Sequence, residues 1–236
     1  MQIQTIKTKV FNENGDLLSF IFKHIKRIPE NSVLIIASKV VALSEGRVVD
    51  YKNEKQKREL LKKESGFAVQ TKYTWLTIKD GMFMASSGID ESNAKGKLIL
   101  LPKDSFKSAE YLRSKIKQHF HLKKFGILIS DSGLLPLRSG VIGVALGYAG
   151  FKGIKSYINK KDIFRRKFIY SKTDVADSLA TAATLCIGEG DEQQPLALIK
   201  NAPVVFSSKI NRKELAVSFK EDIFYPLLKN INVKKK

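Results

Sequence analysis

The stretch SVLIIASKVVAL, residues 32–43, decides how the rest of the chain is interpreted. Its run of β-branched and other apolar side chains predicts a buried strand, which the polar stretch SEGR at 44–47 ends. A second run, FGILIS at 125–130, predicts another short buried strand. The fold class follows from what surrounds these two strands.

Helices with clear caps and faces lie between further strands. Asp16 caps a predicted helix that carries Leu17, Phe20, Ile21 and His24 at helical spacing. Three further helices are predicted from charge and periodicity: a charged surface helix at 53–65, an amphipathic helix at 105–120 and a short closing helix at 219–228. A fourth is predicted at 173–188, with Asp174 as its N-cap and Gly188 just past its end. Further strands are predicted at 3–11, 81–86, 97–102 and 195–199. This irregular alternation predicts an α+β (mixed α/β) fold.

The strongly positive net charge is compatible with several functions. The chain of 236 residues, enough for one large domain or two small ones, carries 42 Lys and Arg against 23 Asp and Glu, a net charge of +19. The basic residues are scattered among acids, with no arginine-rich block. A lysine-rich surface, a field that attracts an anionic small molecule, and nucleic-acid binding all remain open, the last being the least favoured.

Several classes of protein can be set aside. Cys186 is the only cysteine, so an internal disulfide and a thiolate metal site are excluded; its apolar surroundings predict a buried, inert thiol. No histidine suggests a metal site. The N-terminus lacks the apolar core of a signal peptide, and the longest apolar run, GVIGVALGYAGF at 140–151, is too short to span a bilayer. We therefore expect a cytoplasmic protein without membrane contact.

Three acidic clusters follow predicted strands or helices: GIDESN at 88–93, ISDSG at 129–133 and GEGDEQQP at 188–195. The third cluster places acids after a helix, where the partial negative charge of the helix end disfavours them. That placement suggests a role in function. Without a thiolate or a suitable histidine, a bound metal would be an oxygen-liganded ion such as Mg²⁺ or Mn²⁺, and such ions usually accompany phosphates. A nucleotide is the natural partner, although no Walker A motif is present.

The chain resembles the CofE-type family, the coenzyme F-420-0:gamma-glutamyl ligases, and most closely its bacterial branch named for folate metabolism. The resemblance rests on ASKVVALSEGR (37–47), SSGIDESN (86–93), KLILLPKD (97–104), SDSGLLPLRSGVIGVALGYAGFKG (130–153) and DVADSLATAATLCIGEGDEQQP (174–195). It runs from about Ile6 to Pro203. We accordingly expect a ligase domain at 1–203 and a C-terminal extension with a basic tail, 204–236, packed on the same domain.

The resemblance implies a fold, a reaction and partners. Members of this family are intertwined homodimers with an unusual mixed α/β fold. They use GTP or ATP with two divalent cations, Mg²⁺ or Mn²⁺, to activate a carboxylate of the acceptor. L-glutamate then attacks through its amine, and a gamma-glutamyl bond forms. The implied acceptor is an anionic, deazaflavin-like or folate-like coenzyme.

The resemblance also implies roles for individual residues. It implies that Asp90, Asp131, Ser132 and Glu189 bind metal. It implies that Asp90, Asp131 and Arg138 are catalytic. Nucleotide contacts fall to Ser38, Lys39, Asn93, Ile187, Gly188, Glu189, Gly190, Asp191, Glu192, Gln193 and Gln194. Gly88 would let the backbone turn before Asp90. We predict that Asp90, Asp131 and Glu189 converge on one divalent-cation site, within roughly 10 Å of one another.

Some positions depart from the family pattern. Leu43 replaces a nucleotide-facing lysine, Leu135 replaces an arginine, and Arg165 replaces a glycine. The N-terminal nucleotide-contact segment is shortened to FNENGDL, residues 11–17. These changes put the deazaflavin acceptor in question. They also leave open a second function, that of a non-catalytic homologue that binds a nucleotide or metabolite.

Overall fold

A computed structural model of the chain describes residues 1–230; the predicted basic tail, with its KKK at 234–236, lies outside the described residues. The strands are β1 (Gln2–Ile6), β2 (Ser32–Ala37), β3 (Val48–Val49), β4 (Phe67–Gln70), β5 (Trp75–Lys79), β6 (Met82–Ala85), β7 (Leu98–Ile99), β8 (Phe125–Gly133), β9 (Ile142–Ala149), β10 (Ile154–Ser156), β11 (Lys172–Asp174) and β12 (Leu196–Lys200). The helices are α1 (Leu17–His24), α2 (Ser38–Ser44), α3 (Glu54–Glu64), α4 (Ser105–His119), α5 (Val175–Ile187) and α6 (Tyr225–Leu228).

The central sheet has five strands in the order β1-β12-β2-β8-β9. Only the pair β2 and β8 is parallel, with Ser32 opposite Phe125 and Ala37 opposite Ser130; the other pairs are antiparallel. The two apolar runs that the sequence marks as buried strands are therefore direct neighbours at the centre of the sheet. The mixture of sheets and helices confirms the predicted α+β class.

Both faces of this sheet are covered. Along β2, Leu34 and Ile36 point into a core built with α1, α2 and α4, whereas Val33 and Ile35 point into a second core built with α5. Alternating side chains of a strand leave opposite faces, so a run that is apolar at every position suits a strand between two cores. This double burial explains why residues 32–36 are all inaccessible to solvent.

The predicted strand at 32–43 is wrong in its second half. The strand β2 ends at Ala37, and Ser38–Ser44 form α2, whose Val40 and Val41 return to the core beneath α1 and α4. Periodicity cannot separate a buried strand from a short buried helix when nearly every side chain is apolar. Boundaries elsewhere also moved: β1 ends at Ile6 rather than at residue 11, and β8 continues to Gly133.

Smaller elements surround the central sheet. The strands β4, β5 and β6 form an antiparallel meander, β3 pairs with β7, and β10 pairs with β11. The predicted helices with caps are confirmed, since the side chains of Asp16 and Asp174 accept backbone N–H groups at the starts of α1 and α5. None of the helices within residues 1–230 has the length and apolar character needed to cross a membrane.

The predicted burial of Cys186 is wrong, because its side chain is exposed. The face of α5 that packs on the sheet carries Ala176, Leu179, Ala180 and Ala183. At 100° per residue, Cys186 falls just outside that stripe, and Ile187 completes it. The apolar residues around Cys186 belong to a helix with one buried face and one solvent-exposed face. An apolar run in the sequence does not show which residues lie on which face.

The segment that follows β12 packs back on the second core. Val204, Phe206, Ile210 and Leu215 contact that core, and Glu214 accepts hydrogen bonds from the hydroxyl of the buried Tyr148 and from the N–H of Gly153, both at 2.6 Å. Burial and the Glu214 carboxylate raise the pKa of Tyr148 well above its usual range, so the phenol stays a donor. The division of the chain at residue 203 stays a prediction.

We expect Glu214→Ala to lower the free energy of unfolding by roughly 1–3 kcal/mol, because it leaves the buried Tyr148 hydroxyl without its acceptor. Urea denaturation measures the change. Glu221→Ala is the matched control, since Glu221 is exposed and its carboxylate accepts from the nearby hydroxyl of Ser218. Equal midpoints for the two variants would contradict this role of Glu214.

Candidate functional site

A cleft of about 350 Å³ opens at the edge of the central sheet where β2 and β8 end. Parallel strands bring their carboxyl ends to the same edge, a usual place for ligands in mixed sheets. The antiparallel neighbours bring further segments there: the loop that enters β12 and the stretch that leaves β1. Two backbone hydrogen bonds hold these segments together, from Ala37 to Pro195 and from Thr8 to Gln193, each 2.9 Å.

Most residues predicted for the site line this one cleft. They are Ser38, Lys39, Asp90, Asn93, Asp131, Ser132, Ile187, Gly188, Glu189, Gly190, Asp191, Glu192, Gln193 and Gln194. Arg138 is the exception, because it lies in the exposed loop at 134–141 and does not line the cleft. The structure thus brings three distant acidic clusters together, while the ligand that each residue contacts stays a prediction.

Asp131 lies at the centre of the acidic group. It follows the parallel part of β8, and the Ser38 hydroxyl at the start of α2 donates to its Oδ1 at 3.0 Å. Burial raises the pKa of Asp131 to about 6, and the negative charges of Asp90 and Glu189 add to that rise. The hydrogen bonds from Ser38 and Ser132 oppose it. A carboxylate in this position is destabilised by its surroundings and gains from any cation that enters the cleft.

Glu189 reaches the same place from the end of α5. The Ser132 hydroxyl lies 2.7 and 2.9 Å from its two carboxylate oxygens. Gly188 ends the helix with φ +83, a conformation that favours glycine, and so turns the chain toward the cleft. Ser132 and Glu189 therefore form a hydroxyl–carboxylate pair beside Asp131.

Asp90 reaches the cleft from the segment between β6 and β7. Its backbone pairs with Ile99, the last residue of β7, and its side chain accepts from Lys39 at 2.6 Å and from the Ser92 N–H at 2.6 Å. Burial would raise the pKa of Asp90, but these contacts outweigh it and hold the pKa below the ordinary value. The preceding Gly88 has φ +67, as predicted for a turn there.

The neighbouring acid, Glu91, points away from the cleft. It forms an ion pair with Lys57 of α3 and accepts from the Tyr51 hydroxyl at 3.1 Å. Asp90, Ser92 and Asn93 of this loop line the cleft, whereas Glu91 does not. The loop GIDESN thus carries two separate functions, since Glu91 ties it to α3 while Asp90 and Asn93 serve the cleft.

Within residues 1–230, no three carboxylate, histidine or cysteine side chains are close enough together to hold a metal ion as they stand. Each acid has a polar partner instead: Lys39 for Asp90, Ser38 for Asp131 and Ser132 for Glu189. The carboxylates line one cavity from three directions. The described residues therefore do not form the shared divalent-cation site that was predicted for Asp90, Asp131 and Glu189, although all three line one cleft.

Several cleft residues were not predicted from the sequence. Thr8, Lys9, Val10 and Phe11 form one wall, and Ser92 accepts from Lys39 at 2.9 Å. Residues 8–11 look like a continuation of the first strand, so nothing in the sequence marks the point at which they leave the sheet. The weak alternation of 3–11 extends past the true strand end at Ile6.

The positions that depart from the family pattern lie in three different surroundings. Leu43 lines the cleft, so an apolar side chain stands where the resemblance implies a lysine. Leu135 is about half exposed in the loop at 134–141. Arg165 has φ +64, a backbone conformation that glycine adopts without strain. The hairpin at 157–168 therefore keeps the turn that a glycine would allow, even though the side chain has changed.

A mixed sheet with a polar, acid-lined cleft at the ends of its parallel strands has the form of an enzyme that acts on charged small molecules. The family described as F420-0:Gamma-glutamyl ligase matches residues 5–201 of the chain. The chain therefore belongs to this family and is an enzyme of the ligase class.

The sequence of the chain aligns with known relatives over most of their length. The chain is similar to the coenzyme F420:L-glutamate ligase of Methanococcus maripaludis strain C6, with 35% identity over 90% of this chain and 92% of the relative. It is also similar to the enzymes of the same name from Methanocaldococcus jannaschii (31% identity; 84% of this chain and 86% of the relative) and Archaeoglobus fulgidus (29%; 93% and 94%).

We expect Asp131→Asn to stabilise the metal-free protein by roughly 1–3 kcal/mol at pH 7 and above. The folded-state pKa of about 6 lies above the ordinary value of 3.8, so the charged carboxylate costs stability above pH 6, and protonation removes that cost as the pH falls toward 4. The advantage of the variant should therefore disappear near pH 4. Thermal unfolding in a chelator across this range measures it.

The control is Asp50→Asn, which changes an exposed aspartate remote from the cleft. If Asp131 is an ordinary turn residue, Asn in its place should leave stability unchanged or slightly lower at every pH. That result would contradict the claim that the charged Asp131 carboxylate destabilises the metal-free protein.

Proposed function

We propose that the protein adds L-glutamate, through a gamma-glutamyl bond, to a carboxylate of a coenzyme-like acceptor, using GTP or ATP and divalent cations. Membership of the ligase family and the names of the relatives support the glutamate-ligase part of this proposal. The composition of the cleft supports the dependence on nucleotide and metal.

The observation that carries the proposal is the meeting of Asp90, Asp131 and Glu189 in one cleft. They come from segments that are remote in sequence, and the mutual repulsion of their charges contributes to the raised pKa of Asp131. Like charges gathered in a partly buried site weaken the fold. A bound cation would offset this repulsion between the carboxylates. The clustering of the three acids is therefore better explained by ligand binding than by a contribution to stability.

The chemical types of the donors suit a hard divalent cation. They are carboxylate and hydroxyl oxygens from Asp90, Asp131, Glu189 and Ser132, the ligand type that Mg²⁺ and Mn²⁺ prefer. These four residues would hold the ions. When bound, such ions would neutralise the nucleotide phosphates and stabilise charge on the phosphoryl group during transfer.

The chain's own residues would bind and orient the reactants. Lys39 is held between Asp90 and Ser92, and its ammonium can turn to a phosphate when a cation takes over Asp90. Asn93 and the polar loop at 187–194 offer amide and backbone donors to the nucleotide. The γ-phosphoryl group would pass to the acceptor carboxylate, giving an acyl phosphate and a nucleoside diphosphate. The amine of glutamate would then displace phosphate and form the amide.

The acceptor is the finer part of the proposal. The relatives named here are coenzyme F420:L-glutamate ligases, which favours a deazaflavin acceptor. The changes at Leu43, Leu135 and Arg165 favour a different one, and a folate-like coenzyme offers the same combination of a heterocycle and a glutamyl carboxylate. Both acceptors are anionic, and the net charge of +19 would attract either.

The test is glutamate-dependent release of nucleoside diphosphate with each acceptor, with GTP or ATP and with Mg²⁺ or Mn²⁺. We expect Glu189→Gln to lower turnover about 100-fold or more while the protein stays folded, because a ligand carboxylate becomes a neutral amide. The matched control is Glu59→Gln on the exposed side of α3. Full activity of Glu189→Gln, or turnover that persists in a chelator, would overturn the metal-dependent mechanism.

We also propose that the enzyme is an intertwined homodimer. Large apolar side chains are exposed on two loops of the single chain: Leu134, Leu135, Leu137 and Val141 after β8, and Ile163, Phe164, Ile169 and Tyr170 between β10 and β11. Exposed apolar side chains in such number usually mark a contact surface. A second copy that covers these loops would also bring Arg138 near another polypeptide.

Light scattering at micromolar concentration should give about twice the mass of the 26.5 kDa chain. We expect Ile163→Asp to shift the protein toward the monomer, because Ile163 is 90% exposed and a charge there opposes burial. Ile223→Asp is the matched control, at an equally exposed isoleucine (87%) outside the two loops. A wild-type protein of monomer mass would refute the proposed dimer.

A further inference from the structure

The wall of the cleft formed by residues 8–11 has no secondary structure of its own. A segment that leaves a sheet and lines a ligand cavity needs side contacts to keep its shape. Thr8 is buried and its N–H donates to the Gln193 carbonyl, which ties one end of the wall to the loop at 187–194. The other contacts of this wall lead to α1.

His24, the last residue of α1, binds the wall through its imidazole. The N–H of Lys9 donates to Nε2 of His24 at 3.2 Å, and Nδ1 of the same ring lies 2.8 Å from the Phe20 carbonyl oxygen. A backbone N–H can only donate and a carbonyl can only accept. Both hydrogen bonds therefore form only when Nδ1 carries the proton and Nε2 is an acceptor.

Aromatic ring contacts add a second link between the same two elements. The rings of Phe20 and His24 lie 4.5 Å apart, and the Phe20 ring meets Phe11 edge-on at 4.9 Å. Phe20 and His24 are one helical turn apart, so they share a face of α1. This face holds the wall at two points, at the backbone of Lys9 and at the side chain of Phe11.

The wall carries one positively charged residue, Lys9. Five carboxylates line the cavity, those of Asp90, Asp131, Glu189, Asp191 and Glu192, whereas the lining lysines are Lys9 and Lys39. Lys39 is engaged by Asp90 and Ser92. Among residues 1–230 the ammonium of Lys9 forms no ion pair, so it is available to an anionic group of a ligand.

We infer that His24 is a positioning residue: it holds the backbone of Lys9 and thereby sets the wall of the cleft against which a phosphate-bearing ligand binds. The inference rests on the proposed function for the identity of that ligand, a nucleotide. His24 itself does not line the cleft, so its effect passes through Lys9 and Phe11. Nothing in the sequence singles out His24, because its partner Lys9 is 15 positions earlier.

Three variants separate the hydrogen bond from the packing. His24→Phe keeps an aromatic ring against Phe20 but removes both nitrogens. His24→Gln offers a carbonyl oxygen that can accept from the Lys9 N–H. The control is His119→Phe. His119 likewise contacts a phenylalanine of α1, Phe22, with ring centroids 3.9 Å apart, and it does not line the cleft.

The first measurement is amide hydrogen exchange of Lys9 by NMR in the full-length protein, which needs no activity. We expect the Lys9 amide to be protected in the wild type and in His24→Gln, and to exchange faster in His24→Phe, with His119→Phe unchanged. An unprotected Lys9 amide in the wild type, or equal protection in His24→Phe, would overturn the inference.

The second measurement is nucleotide affinity by calorimetry, together with kcat and KM for the nucleotide. His24→Phe should weaken affinity and raise KM roughly fivefold, the change that corresponds to one net hydrogen bond, with kcat within about twofold of wild type. His24→Gln should restore both. Unchanged affinity in His24→Phe would refute the positioning role. Absence of turnover in the wild type would instead refute the proposed function, while calorimetry and exchange would still decide the role of His24.

Discussion

The parallel pairing of β2 with β8 is the constraint on which the rest of the site depends. With Ala37 opposite Ser130, the residues that follow each strand emerge at one edge, so Ser38 and Asp131 become hydrogen-bonded neighbours although 93 positions separate them. The antiparallel β12 and β1 then bring the loop at 187–194 and the wall at 8–11 to the same edge. A different register would scatter these groups.

Electrostatics gives this edge its chemical character. Burial and neighbouring acids raise the pKa of Asp131, whereas Lys39 and Ser92 lower that of Asp90, so two carboxylates of one cleft differ in their tendency to hold a charge. Hydroxyls of Ser38 and Ser132 stabilise the acids without neutralising them. The site holds an excess of negative charge in a strongly basic protein, which is the opposite of what composition alone would favour.

Much of the fold could be predicted because local signals were strong. Asp16 and Asp174 cap the helices that they were expected to cap, and the runs at 32–37 and 125–130 are central strands. Errors arose where one-dimensional patterns are ambiguous. An apolar run hid the change from strand to helix at Ser38, the alternation at 3–11 continued past the true strand end, and the letters around Cys186 concealed that α5 has an uncovered side.

The sequence by itself determined the α+β class, the caps of the helices, the acidic clusters and the family, because these depend on residue type and local spacing. Tertiary structure alone decided that Asp90 faces the cleft while Glu91 pairs with Lys57, that Arg138 stays outside the cleft, and that the wall at 8–11 is held by His24. Those outcomes depend on which strands pair and how side chains meet across them. Such long-range geometry has no signature in the order of neighbouring residues.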